Sequence, residues 1–311
     1  MLDAVRLPFL TRPAPERFRV LTTCAVVVAP VLVIAIFAVL AVQAAPAVTR
    51  FGAGFLVTRS WNPVTLDFGA LPFIFGTVAT SAIALALALP VGLAVAIVLA
   101  EPGARALRGA VGTGVELLAA IPSVVYGIWA LYILAPFVYQ SVEVPLSQRL
   151  GFIGVFSGPP RQTSLFTAGL VLAIMILPTL SAISRDVLRA VPNGLRESAV
   201  ALGATWWETS WKVVLPAARA GIFGAVVLAL GRALGETIAV TMVIGNRPDI
   251  PQSMFAPAYT LASVIANEFT EATGQVYPAA LLELGLVLIL LTFTVNLLAL
   301  LLVRRSVEPS R

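Results

Sequence analysis

Long apolar runs separated by shorter polar stretches dominate this chain of 311 residues. A hydrocarbon core about 30 Å thick requires about 20 apolar residues in helical conformation, and six runs are long enough. We therefore predict six transmembrane helices, at residues 22–44, 73–99, 110–137, 165–184, 220–245 and 279–303. Around them we expect an N-terminal tail (1–21), an external loop (45–72), a five-helix core (73–303) and a C-terminal tail (304–311).

The first apolar run also has a feature of signal peptides, because the stretch AVQAAPA contains an A-x-A-like cleavage site. Its apolar length, however, exceeds the hydrophobic region of about 7–15 residues that is usual in a signal peptide. We therefore expect the first helix to be retained.

The composition supports lipid as the solvent of this protein. The chain is 59% hydrophobic and only 11% charged, whereas a soluble domain carries about 25% charged residues. It contains no histidine and a single cysteine, Cys24. An intrachain disulfide is thereby excluded, and we expect neither a metal site nor a cofactor in this chain.

The distribution of basic residues predicts the orientation. Fourteen lie in the two tails and in the loops after the second and fourth helices, and five lie in the other loops. Because basic residues favour the cytoplasmic side, we expect both termini in the cytoplasm of a bacterial cell and a multi-pass inner-membrane location. The five residues on the opposite side are Arg50, Arg59, Arg149, Arg161 and Arg247.

The two long loops on the external side, 138–164 and 246–278, mix Pro, Gly and polar residues with apolar ones. The stretch AYTLASVIANEF (258–269) predicts a short helix at the outer interface. These loops either cap the helix bundle or receive an external partner, and the composition favours neither reading.

The cytoplasmic loop 185–219 is too long for a simple turn and has a helical pattern. Leu195, Ala199, Leu202 and Trp206 fall on one face at helical spacing, so a short helix there has an apolar stripe to bury. The stripe either docks on the chain's own helices and the lipid headgroups, or enters a groove of another protein.

The same loop resembles a known motif. Glu197-Ser198-Ala199, Gly203 and Val213-x-Leu215-Pro216 match the spacing of the EAA motif of ABC importer permeases, E-A-A-x3-G-x9-I-x-L-P, with Ser for Ala and Val for Ile. The resemblance implies a coupling helix that docks on an ATPase subunit. The residues implied in ATPase coupling are Glu197, Ser198, Ala199, Gly203, Leu215 and Pro216.

Further stretches narrow the resemblance to the phosphate-uptake permeases, specifically the PstC-type subunit. They are WNP (61–63) with FGALPFIFGT (68–77), ELLAAIPSVVYGIWALYILAPF (116–137), LPTLSAISRDVLRAVP (177–192) and GRALGETIAVTMVIGN (231–246). The resemblance covers about residues 15–305. It implies the type I ABC importer (MetI-like) fold, a PstA-like permease that shares the translocation pathway, a PstB-like ATPase dimer and a PstS-like external phosphate-binding protein.

The sequence itself argues against ATP hydrolysis by this chain. A P-loop requires G-x4-G-K-[ST], and the only lysine, Lys212, follows Trp211. We therefore expect a transporter subunit rather than an enzyme, with ATP and Mg²⁺ bound by a separate ATPase.

Two charges interrupt the fifth apolar run. Arg232 and Glu236 are four residues apart, which places them on one face of a continuous helix. An ionised side chain near the bilayer centre costs about 2.5–3.5 kcal/mol, so we expect the arginine to face a cavity or a helix interface.

Small residues on the same face, at Ala225, Ala229, Ala239 and Val243, are expected to leave room beside it. Glycines on the adjacent face are expected to let a second helix approach, and they are Gly224, Gly231 and Gly235.

A guanidinium is permanently charged and can donate two parallel hydrogen bonds to a phosphate. We therefore hypothesise that Arg232 contacts phosphate during passage and that Glu236 orients it. The resemblance supports this, since an Arg and a Glu in this helix are associated there with phosphate movement. The alternative is a structural pair that also bonds the partner permease.

Three prolines, Pro90, Pro122 and Pro178, interrupt the predicted second, third and fourth spans. Each removes one backbone hydrogen bond and permits a kink. They serve either as hinges for alternating access or to shape the bundle.

Other functions are compatible with parts of the pattern. One alternative is a permease of the same superfamily for another oxyanion, such as molybdate, sulfate or phosphonate. An ion-coupled secondary transporter acting alone would leave the EAA-like spacing to chance. A membrane sensor would have intramembrane charges, but nothing in the sequence resembles a signalling domain.

Overall fold

Helices account for most of the computed structural model, which describes residues 16–101 and 105–307. The only sheet in these ranges is a two-stranded hairpin of β1 (Trp61–Asn62) and β2 (Asp67–Phe68), with Trp61 opposite Phe68. The helices are α1 (Glu16–Phe51), α2 (Leu71–Ala100), α3 (Arg105–Ala120), α4 (Ser123–Leu150), α5 (Leu165–Ala190), α6 (Asn193–Ala201), α7 (Trp206–Leu234), α8 (Ile238–Val243), α9 (Leu261–Glu268) and α10 (Val276–Val307).

Six of these helices are long and apolar enough to cross a membrane, which agrees with the predicted number. They are α1, α2, α4, α5, α7 and α10. Several predicted bounds are wrong. The first helix continues beyond residue 44 to Phe51, and a 3-10 turn (Gly52–Leu56) follows it, so the predicted external loop 45–72 is partly helical. The N-terminal tail 1–15 and the end of the C-terminal tail lie outside the described residues.

The predicted third span, 110–137, is two helices. Helix α3 ends at Ala120, because the ring of Pro122 disfavours a helical conformation at the residue before it, and Pro122 itself is extended, with ψ 145°. Residues 105–120 form the separate amphipathic helix α3, and the spanning helix α4 begins at Ser123. Because α4 continues to Leu150, much of the predicted external loop 138–164 is helical, and α4 contains two π-helical turns.

The predicted fifth span, 220–245, is also wrong as a continuous helix. The helix α7 begins at Trp206, passes a π-helical turn at Ser210–Val214 and ends at Leu234. Residues 235–237 are not helical, and α8 follows. The loop 246–278 contains the predicted short helix, as α9, and ends where α10 begins at Val276.

The core of the bundle lies among α2, α5 and α7, where small residues permit close packing. Ala84, Ala88, Ala225 and Ala229 are buried there against large side chains of α5 such as Leu172, Ile176 and Leu180. A Cβ on Gly92 of α2 would lie 2.8 Å from a methyl group of Leu180, so a larger residue there would require the Leu180 side chain to shift. Dispersion between closely packed side chains stabilises such an interface, because lipid offers no hydrophobic driving force between helices.

A second apolar cluster joins the hairpin to α2, α9 and α10. Trp61 packs edge-on against Phe68 and Phe73, with ring centroids 4.7 and 4.8 Å away, and Phe68 stacks on Tyr277 at 5.2 Å. The indole Nε1 of Trp61 donates to Glu268 at 2.8 Å. The hairpin therefore ties the first loop to the start of the last helix, while residues 22–39 of α1 are exposed in this chain.

Candidate translocation site and coupling surface

A break in the helical backbone marks the candidate translocation site. The helix α7 ends at Leu234, Gly235 terminates it, and α8 begins three residues later at Ile238. Backbone of this kind within an apolar core is tolerated where it is buried in protein or lines a cavity. Discontinuous helices of this type often form substrate sites in transporters.

The break separates the two charges that the sequence placed on one helix face. Arg232 lies in the last turn of α7, whereas Glu236 lies outside the helix. The prediction of one shared face is therefore wrong, because the helix ends between them. Among the ion pairs formed by described residues, none joins Arg232 to Glu236.

Arg232 has a different partner on a neighbouring helix. Its Nη1 donates to Oγ1 of Thr179 in α5 at 3.3 Å, and the arginine is exposed at the surface of this chain. One threonine oxygen leaves most of the donors of the guanidinium available, since the group carries five N–H bonds. Arg232 can therefore bind an anion without losing its contact with α5.

A cavity of about 340 Å³ begins beside this contact. Thr179 lines it together with Pro178, Leu99, Glu116 and Arg185, so it lies between α3, the end of α2 and the C-terminal half of α5. The sequence did not predict that α3 forms one of its walls. An open space therefore adjoins Thr179, the hydrogen-bond partner of Arg232, and it extends toward the C-terminal end of α5.

The small residues near Arg232 do not leave the predicted room. Ala225, Ala229, Ala239 and Val243 are fully buried in the core. They point toward α2, α4 and α5, because the helix face that carries them packs inward. The space beside Arg232 comes instead from its exposure at the surface of α7.

The three predicted interface glycines do not contact another helix closely within the described chain. A Cβ on Gly224 would meet nothing within 4 Å, one on Gly235 only the carbonyl of Gly231, and one on Gly231 the amide of Asn296 at 3.7 Å. A closer approach occurs at Gly76 of α2, where a Cβ would clash with the carbonyl oxygen of Tyr259.

Of the three prolines, Pro90 and Pro178 lie inside helices α2 and α5. Pro178 is buried and lines the cavity beside Thr179. Pro122 marks the boundary between α3 and α4, so it does not kink a continuous span as predicted.

The predicted coupling segment is a short helix at the end of α5. The helix α6 carries Glu197 and Ser198 on exposed positions, and Ser198 Oγ donates to the Gly194 carbonyl at 2.7 Å. Gly203 has φ +85°, which few other residues adopt without strain, and it ends this element. Farther along, Leu215 is half-buried and Pro216 exposed at the start of the α-helical part of α7.

The predicted apolar stripe is divided. Ala199 is buried against the chain itself, whereas Leu195 and Leu202 are 45% and 89% exposed. The helix ends at Ala201, so Leu202 and Trp206 do not continue its face as predicted. The exposed leucines form an apolar surface that this chain does not cover.

A buried ion pair that the sequence analysis missed holds α6 in place. Arg196 Nη2 donates to Glu101 Oε1 at 3.0 Å, with side-chain exposures of 17% and 2%. The same guanidinium donates to the carbonyls of Leu188 and Val191. The signal in the sequence was Glu101 at the end of an apolar run, since a buried carboxylate requires a partner.

A second buried acid lies near the other end of α5. Glu143 is fully buried in α4, and its Oε1 accepts hydrogen bonds from Ser164 Oγ at 2.6 Å and Thr167 Oγ1 at 3.1 Å. The apolar pattern predicts an external loop at this residue, because the apolar run of the third span ends at residue 137. The cluster joins α4 to the start of α5.

The fold is similar to that of a solved transporter structure. A solved structure of the MetNI methionine ABC transporter in inward-facing conformations superposes with a TM-score of 0.56 at 20% identity, covering 75% of this chain and 94% of that chain. At this identity the likeness concerns the fold, which is the MetI-like fold predicted from the sequence.

The sequence model of the family described as "Binding-protein-dependent transport system inner membrane component" matches residues 88–307. The chain belongs to this family, and it is therefore a multi-pass inner-membrane transport component.

Curated relatives are similar over most of their length. The phosphate transport system permease protein PstC of Mesorhizobium japonicum is 51% identical over 81% of this chain and 79% of its own length. The PstC of Pasteurella multocida is 49% identical over 83% of this chain and 81% of its own length. The PstC of Haemophilus influenzae is 43% identical over 88% of both chains.

Proposed function

We propose that this chain is one of two transmembrane permease subunits of an ATP-driven importer of inorganic phosphate. The observation that carries the proposal is an exposed guanidinium, Arg232, at a helix break and beside a cavity. The names of the similar PstC proteins support phosphate as its substrate. A guanidinium suits a phosphate because its planar donors match two oxygens of the anion.

The proposed pathway requires a second, PstA-like permease. Arg232 and Gly224 lie on a surface of α7 that this chain does not cover, and a charged side chain facing lipid is costly. A partner helix at this surface would enclose Arg232 in a shared passage. Gly224, Gly231 and Gly235 would then be the positions at which the partner approaches.

The energy would come from a PstB-like ATPase dimer, which holds ATP and Mg²⁺. Its docking surface on this chain would be the exposed Leu195 and Leu202 with Glu197, because α6 is fixed to α2 by Arg196 and presents these residues outward. Closure of the ATPase dimer would move α6 and rock the two permeases. A PstS-like protein would release phosphate at the opposite end of α5, and both termini would be cytoplasmic.

Ala199 is buried, so a crosslink to the ATPase is better placed at Leu202, which is 89% exposed. In an assembled, active complex, Leu202→Cys is expected to crosslink to a cysteine in the ATPase groove. Gly54→Cys, in the turn after α1 on the proposed external side of the membrane, is not. Failure of Leu202→Cys to crosslink would contradict the docking surface.

Uptake by the purified complex in proteoliposomes tests the proposed function. We expect labelled phosphate to accumulate only with ATP and the binding protein present. Stronger competition by molybdate, sulfate or phosphonate than by unlabelled phosphate would assign another oxyanion. Accumulation by this chain alone in ATP-free vesicles would instead indicate an ion-coupled secondary transporter.

A further inference from the structure

A second cavity, of about 530 Å³, lies at the end of α5 opposite the coupling segment. Three arginines from three separate segments line it, namely Arg59, Arg161 and Arg247. Arg59 precedes the hairpin, Arg161 precedes α5, and Arg247 follows α8. Residues that are far apart in sequence thus bring three guanidinium groups to one concave surface.

The charge of this cavity is only partly compensated. Nε of Arg247 pairs with Oδ2 of Asp249 at 2.7 Å, and Asp249 is the one carboxylate of the lining. In the part of the chain that the structure describes, the side chains of Arg59 and Arg161 form neither an ion pair nor a hydrogen bond. Two guanidinium groups therefore remain available to a ligand.

Backbone hydrogen bonds fix the walls that carry these arginines. Arg161 N donates to the Phe255 carbonyl at 3.2 Å, and Arg247 N donates to the Ala258 carbonyl at 3.1 Å. Both segments are thereby tied to the 253–258 stretch. A site whose backbone is already ordered loses less conformational entropy when a ligand binds.

The position of these charges is unusual for a membrane protein. Basic residues are disfavoured on the external side, and the sequence places only five there. Three of those five line this single cavity. The concentration of a disfavoured residue type at one concave site indicates a ligand of opposite charge.

We propose that this cavity is an oxyanion subsite that holds inorganic phosphate before it reaches Arg232, an inference that rests on the proposed function. Arg59 and Arg161 supply charge-assisted donors, and the side-chain amide of Gln252 in the lining supplies a neutral one. The helix α8, about 9 Å long at 1.5 Å per residue, connects the two sites. It begins after Glu236 and ends shortly before Arg247.

The subsite would act on phosphate released from the binding protein. A cationic concave surface raises the local concentration of an anion. Released phosphate would therefore remain at the entrance while the passage opens, instead of returning to the external solution. The site would increase the number of phosphate ions moved per ATP.

Arginine labelling tests the site in the wild-type complex. Phenylglyoxal modification of individual arginines is followed by mass spectrometry with inorganic phosphate present, or with sodium chloride of equal ionic strength. At a phosphate concentration tenfold above the dissociation constant, occupancy slows labelling of Arg59 and Arg161 by about tenfold. The exposed Arg149, which does not line the cavity, is the matched control. Equal protection of all three arginines, or of none, would overturn the proposal.

A pair of variants separates phosphate from a protein ligand. In proteoliposomes, the double variant Arg59→Gln with Arg161→Gln is expected to move fewer phosphate ions per ATP, with unchanged stimulation of ATPase activity by the binding protein. Arg149→Gln is expected to behave as wild type. An unchanged ratio with a higher half-stimulating concentration of binding protein would overturn the proposal and assign the arginines to protein docking.

The labelling requires no substitution, so it tests the phosphate subsite even if the double variant fails to fold. The labelling also measures phosphate binding at the arginines without requiring phosphate transport. Wild-type phosphate uptake without protection of Arg59 and Arg161 would refute the subsite alone, whereas protection without uptake would refute the proposed function alone.

Discussion

The ion pair between Arg196 and Glu101 is expected to control how firmly the coupling helix α6 is held. The variant Arg196→Ala leaves a carboxylate that is 2% exposed without its partner. It also frees the carbonyls of Leu188 and Val191, which accept from the same guanidinium. Breaking a buried pair by removing one member costs about 3–5 kcal/mol. Because Arg196 remains 17% exposed, we expect about 3 kcal/mol.

The loss is expected to appear as local opening of α6 rather than global unfolding, because the pair lies at the ends of α2 and α5, outside the main core of the bundle. An opening free energy lowered by about 3 kcal/mol accelerates amide exchange by roughly a hundredfold. Hydrogen exchange of the peptides that cover 193–201, measured by mass spectrometry in the purified complex, reports this directly.

The exposed pair of Arg185 and Asp186 provides the matched control, with Asp186→Asn as the variant. Its side chains are 30% and 64% exposed, so it contributes about 0–1 kcal/mol and exchange is expected to change little. Exchange of α6 that is the same in Arg196→Ala and Asp186→Asn would refute the reasoning that the buried pair anchors the coupling helix.

Three further substitutions test local features. Gly76→Ala introduces a Cβ that clashes with a backbone carbonyl. Because overpacking costs about 1–3 kcal/mol, the thermal unfolding temperature in detergent should fall. The control Gly194→Ala, whose Cβ meets nothing within 4 Å, should not lower this temperature. Gly203→Ala forces a residue with a Cβ to φ +85° at a cost of about 1–2 kcal/mol, and should reduce ATPase-coupled uptake; wild-type coupling would contradict this. Thr179→Val removes the acceptor of Arg232 and should lower phosphate uptake while assembly is retained; unchanged uptake would show that the contact is dispensable.

The number of spans could be predicted from the sequence, because each apolar run is long enough as a helix to cross the hydrocarbon core of the membrane. Their ends were less predictable. Pro122 separates α3 from α4 through a local preference that the hydropathy of residues 110–137 hides. The break at 235–237 was hidden for the same reason, since apolar residues continue on both sides of it.

The candidate site shows the corresponding limits. The EAA-like spacing predicted a coupling segment where α6 lies, and the isolated charges made Arg232 a candidate. Partners that lie far away in sequence, such as Thr179 for Arg232 and Glu101 for Arg196, depend on how helices pack. The convergence of Arg59, Arg161 and Arg247 on one cavity likewise depends on tertiary structure.

The central claim is that Arg232 contacts the transported anion, and Arg232→Gln tests it most directly. Phosphate uptake, ATPase activity and co-purification of the partner subunits are measured on the same preparations, with Arg149→Gln as the control. A hydrogen bond to a charged group contributes about 1.5–3 kcal/mol, so uptake is expected to fall at least about tenfold while the complex assembles normally. Normal uptake by Arg232→Gln would contradict the account, and loss of assembly would instead assign Arg232 a structural role.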